Sequence, residues 1–155
     1  MPVATRRLTP DRHRRGFTLP EILIVIVLIS ILALVAIPRF ATANGKRHME
    51  SARMRVAAAL ATARAAAIQK GEPVRFQISN HRVTVVRLAG SANLISPVPL
   101  DTLYNVRASG FTDPLQIDFS ARGFANYGSR LKIVLRRSGV ADDSVIVMPT
   151  GMVQR

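Results

Sequence analysis

From residue 22 to residue 37 the chain is apolar throughout except for Ser30, with Ile, Leu and Val filling the run beside Ala33 and Ala36. Counted from Phe17, such a helix would be about 31 Å long at 1.5 Å per residue, enough to cross a hydrocarbon core of about 30 Å. Beyond Pro38 the pattern becomes one-sided. Met49, Ala52, Val56, Leu60, Ala63 and Ala67 recur at spacings of three and four, which marks one face of a helix, and Arg53, Arg55 and Arg64 fall off it. Alanine, the best helix former, dominates positions 57–67, and Gly71 with Pro73 supplies the stop. A single helix from Phe17 to Lys70 is therefore expected, with Pro38 and Gly45 as the points where it would loosen.

From Val74 the period changes to two. Val74, Phe76 and Ile78 alternate with Arg75, Gln77 and Ser79; Asn80-His81 is a turn candidate, and 83–88 returns as a second strand. A loop with Pro97 and Pro99 follows, then strand candidates at 103–108, Leu115–Phe119, Leu131–Arg137 and 144–148, punctuated by single glycines. The reading is α+β: a long N-terminal helix, transmembrane in its first half, packed on a small antiparallel β-sheet domain. The expected divisions are a basic leader (1–16), an apolar helix (17–38), its amphipathic continuation (39–71) and a β domain (72–155).

The charge is +13, of which the five arginines and Asp11 of residues 1–16 contribute +4, leaving +9 on the remainder. A surface that basic suggests acidic partners, whether protein, lipid headgroup or nucleic acid. The leader arginines (Arg6, Arg7, Arg12, Arg14, Arg15) argue for a cytoplasmic N-terminus and a periplasmic C-terminal domain. There are no cysteines, so neither a disulfide nor a thiolate metal site is available.

Glu21 does not fit a plain anchor. An acid in an apolar span costs about 2.5–3.5 kcal/mol at mid-helix and less near an end, so it needs a cationic partner. Were the chain cut after Gly16, Phe17 would carry a free amine four residues before Glu21. The amine of one chain could then neutralise the carboxylate of its neighbour. Gly16-Phe17-Thr18-Leu19-Pro20-Glu21, after a basic leader and before an apolar helix, resembles the processing motif of type IV prepilins and pseudopilins. The resemblance implies cleavage between Gly16 and Phe17 by a prepilin peptidase, N-methylation of Phe17, an inter-subunit role for Glu21, and a helix-loosening role for Pro38. Pro20 departs from the usual large apolar residue but removes no intrahelical bond in a first turn.

Ala65 to Val74, Ile117-Asp118-Phe119-Ser120-Ala121-Arg122-Gly123 and Ser144 to Gly151 resemble segments of the GspH/FimT group of minor pseudopilins. Membership implies a structural, non-enzymatic part of the type II secretion pseudopilus tip. It would be anchored in inner-membrane lipid and assembled with other major and minor pseudopilins. The alternative in the same group is a type IV pilus minor pilin for pilus initiation or DNA uptake. A secretory signal ending near Ala41-Thr42-Ala43 is opposed by the length of the apolar run and the acid at its head. A twin-arginine signal at Arg14-Arg15 is opposed by the strength of that run. A plain anchor carrying a periplasmic enzyme or binding protein leaves Glu21 without a purpose.

No catalytic constellation and no cofactor site is evident. His13, His48 and His81 are isolated, and Asp142-Asp143 reads as a polar turn. Arg130, Lys132 and Arg136 would share one strand face, with Arg137 beside them, as a phosphate-binding strip or as an ordinary solvated face. The solvated face is the simpler reading. The resemblance includes pilus-associated members that bind DNA through an arginine-rich tail, whereas Arg155 stands alone in the tail here. Aromatic residues are not interleaved with the basic ones, so no base-stacking surface is indicated.

Overall fold

The structure is a computed structural model describing residues 17–90 and 92–154, the side chain of Pro38 excepted. Residues 1–16, and with them Gly16, lie outside the described residues, as does Arg155. Helix α1 is Leu19–Lys70, and the chain divides into two compact units, Met1–Pro38 and Arg39–Arg155.

In the first unit, Ile, Leu and Val from Ile22 to Ile37 are largely exposed, and no part of the apolar stretch is buried within the chain. Its mean hydropathy reaches 2.9 over 18 residues, which by length and composition suits a membrane span. Ser30 Oγ donates to the Ile26 carbonyl at 2.8 Å, so the lone hydroxyl of the run is satisfied within its own helix.

In the second unit the helical stripe is the core. Met49, Ala52, Val56, Leu60, Ala63 and Ala67 are all buried, as their spacing predicts, together with Ala57 and Ala59. Helical backbone persists at Gly45, and this glycine does not loosen the helix. It is buried, and a Cβ there would come within 2.8 Å of Val140 Cγ2, so it serves a close approach instead. Gly71 takes φ +64° just past Lys70, a left-handed stop that favours glycine.

Strands β1 (Val74–Ser79) and β2 (Arg82–Arg87) form an antiparallel hairpin closed by Ser79 opposite Arg82. Both central residues are left-handed, Asn80 at φ 48° and His81 at φ 59°, as a two-residue type I′ turn requires. After β3 (Val98–Pro99) comes a short helix, α2 (Leu100–Tyr104), where 103–106 were expected to be extended. Leu100 is its buried residue and Leu103 faces out, the reverse of a strand beginning at Leu103. Asn105, left-handed at φ 52°, ends the turn, and only then does β4 (Arg107–Ser109) begin.

Strands β5 (Leu115–Phe119) and β6 (Leu131–Arg137) match their expected bounds. Strand β7 is longer than expected, Val140–Val147, because the turn is Ser138-Gly139 and not the aspartate pair. Asp142 and Asp143 are strand residues, which corrects their reading as a turn. Strand β8 (Val153–Gln154) closes the chain.

The strands form two four-stranded antiparallel sheets, β3-β2-β1-β5 and β4-β6-β7-β8. Phe76, Ile78, Val85, Ile117 and Phe119 from the first join Ile133, Leu135, Val145 and Val147 from the second in one cluster with the α1 stripe. Alternation along β1 and β5, buried then half-buried, is the signature of a sheet with one covered face.

Candidate assembly and processing site

Within the first unit the chain enters α1 through Thr18. Its carbonyl accepts from the Glu21 and Ile22 amides at 3.1 and 3.2 Å. Pro20 sits in this first turn, where its missing N–H removes no helical bond. Glu21 Oε2 reaches back to the Thr18 amide at 3.4 Å, the acidic half of a capping box. An acid in the first turn also faces the positive end of the helix dipole.

The carboxylate therefore has a local role at the helix start. At 3.4 Å its bond to Thr18 is long, and the group lies next to the residue that a cut after Gly16 would make N-terminal. Phe17 is exposed, as are the apolar side chains after Glu21. Helical backbone persists through Pro38, whose side chain lies outside the described residues.

The second unit places two members of the basic strip on one strand face and the third in a loop. Lys132 and Arg136 project from the outer face of β6, opposite the buried Ile133 and Leu135. Arg130 precedes the strand in a loop. Arg136 Nε donates to Asp142 Oδ2 at 3.0 Å, an exposed pair of small energetic weight. Asp143 binds Arg53 Nε at 3.3 Å and so ties β7 to α1.

Between the sheets' own strands the strongest polar link is Arg75 to Asp118, register partners on β1 and β5, joined by two bonds of 2.6 and 2.8 Å. The hydrogen bonds that Arg75 donates to Asp118 raise the Arg75 pKa above its ordinary value; desolvation opposes this, and the attraction of the carboxylate adds to it.

Register brings together what the sequence separated. Arg107 on β4 lies directly opposite Arg136 on β6, and Ser109 opposite Val134. No local pattern announces this pairing, since it depends on which strands meet. Of the histidines, His48 packs edge-on against Tyr104 with centroids 6.5 Å apart, and His81 occupies the hairpin turn. Among the described residues no three His, Asp or Glu side chains cluster as metal ligands would.

Two family models match the chain: the prokaryotic N-terminal methylation motif over residues 11–37, and Type II transport protein GspH over residues 52–151. No curated protein matches it. Among solved structures it is similar to the type IV minor pilin FimU of Pseudomonas aeruginosa in two crystal forms. One gives a TM-score of 0.58 at 14% identity, covering 70% of this chain and 88% of that one. The other gives 0.55 at 15%, covering 68% and 90%. At such identities the likeness speaks to the fold, a long N-terminal helix packed on antiparallel sheets. With the methylation motif ahead of a matched segment that takes in most of its length, the chain belongs to the GspH family of pilin-like structural components.

Proposed function

We propose that this chain is a minor pseudopilin of a type II secretion system, acting as a structural and assembly part of the periplasmic pseudopilus tip. The reading is carried by one observation: an N-terminal methylation motif and a GspH segment occur in the same chain, in that order. In this reading a prepilin peptidase cuts between Gly16 and Phe17 and the new Phe17 terminus is methylated. The apolar stretch to Ile37 is held in the inner membrane with the C-terminal domain in the periplasm. There it bundles with the helices of other major and minor pseudopilins.

Glu21 supplies the register of that bundle. Its carboxylate, bonded among the described residues by a long contact to the Thr18 amide, meets the amine of a neighbouring Phe17. An unpaired acid in the apolar layer costs energy that a paired one does not, so mismatched registers are penalised. Intact-mass measurement of the protein from its native host tests the processing step. The expected species lacks residues 1–16 and carries one added methyl group; a chain still starting at Met1 with no trimmed form refutes it. Glu21→Ala should still insert in membrane yet fail to co-purify with partner pseudopilins.

A second reading, a type IV pilus minor pilin in pilus initiation or DNA uptake, is favoured by the fold shared with FimU. Salt-sensitive gel-shift binding of duplex DNA would support it, through Arg130, Lys132, Arg136 or Arg155. Absence of binding would support secretion.

A further inference from the structure

Beside the edge strand β4 of the second sheet lies a groove of about 740 Å³, lined by His81, Arg107, Ser109, Arg136, Arg137 and Asp142 among others. Two like charges directly opposite on antiparallel strands are destabilising, yet Arg107 and Arg136 are register partners. Asp142 neutralises Arg136, and Arg137 donates to the Tyr104 carbonyl. Arg107, exposed, has no hydrogen-bond or ion-pair partner among the described residues. Strand β4, which carries it, ends its sheet and pairs on one side only.

The chain has little acid of its own to offer this groove. Glu72, Asp118, Asp142 and Asp143 already hold arginines. Asp113 accepts from the Asn80 amide and Asp101 from the Thr102 amide. Among the described residues of the second unit, Glu50 is the one carboxylate without a hydrogen-bond or ion-pair partner. A second copy would bring to the groove the same excess of arginine.

We propose that this groove docks a carboxylate-bearing segment of a different protein, with Arg107 as the cation that receives it beside the Arg136–Asp142 pair. Asp142 on Arg136 shows the chemistry in place: a carboxylate at hydrogen-bond distance on one of the two guanidinium groups. The proposal goes beyond the assignment to secretion or pilus and holds for either. It makes association through this face heterotypic, because like-charge juxtaposition suppresses self-pairing.

The test is fluorescence anisotropy of a labelled glutamate-rich peptide with the full chain in non-ionic detergent. Binding should weaken with added salt. Arg107→Gln should weaken it about fivefold, the scale of one exposed ion pair, and Arg107→Glu should weaken it further. Arg122→Gln, an exposed arginine outside the groove, should bind as the parent does. Since the exposed Arg107 side chain makes no hydrogen bond or ion pair among the described residues, its variants should keep the parent circular dichroism spectrum. Equal affinity in parent and Arg107→Glu, or equal loss in Arg122→Gln, would overturn the proposal. So would displacement of the peptide by millimolar inorganic phosphate, or tighter Arg107-dependent binding of duplex DNA, since either reassigns the groove.

Discussion

Gly151 meets the Gly123 carbonyl so closely that a Cβ at position 151 would stand 2.1 Å from that oxygen. Its φ of +75° is also in the left-handed region. Arg64 Nε donates to the same carbonyl at 3.1 Å, so helix, mid-domain loop and C-terminal turn converge on one acceptor. Gly151→Ala should therefore destabilise the protein by at least about 3 kcal/mol, strain and overlap together. Gly71 is a useful contrast: its φ is +64°, but a Cβ would meet nothing within 4 Å. Gly71→Ala should cost only about 1–2 kcal/mol, the left-handed penalty alone. Urea unfolding of the detergent-solubilised variants would read both, and equal costs would contradict the overlap argument.

The elements differ in how far residue order reveals them, and the reason is range. The stripe from Met49 to Ala67 and the β1–β2 hairpin are local patterns, of period 3.6 and of two left-handed turn residues, and both were legible. Strand 103–108 was misread because Val106 and Ala108 are buried at strand spacing, while the buried Leu100 and left-handed Asn105 that define α2 carry no periodic signal. The split into two sheets depends on β1 choosing β5 as its second neighbour, a pairing that alternation cannot express. For the same reason Gly16-Phe17 to Glu21 could be recognised as a contiguous motif, whereas Arg107 opposite Arg136 could not. The Arg75–Asp118 bridge permits a test of β1–β5 pairing. Asp118→Ala should cost about 1 kcal/mol for a partly exposed bidentate pair. The raised Arg75 pKa gives a contribution fully present below the ordinary arginine range and lost only as pH rises through the elevated value. The measured cost should therefore be the same at pH 6 and pH 9.

For the whole molecule, the buried side chains among the described residues lie in the unit from Arg39 onward, and the apolar run from Ile22 to Ile37 is largely exposed. A chain lacking residues 1–38 should remain folded and monomeric without detergent, as size-exclusion chromatography would show; aggregation would mean that the apolar stretch contributes to the fold. Leu60, fully buried on the stripe, should cost about 3 kcal/mol when changed to Ala. That stripe has a mechanical consequence. Both four-stranded sheets send buried side chains into one cluster with it, so the two sheets should melt in one transition, whichever sheet a probe reports. A load applied along the N-terminal helix would then act on the piece common to both, and the domain should resist until that piece gives way and then open all at once.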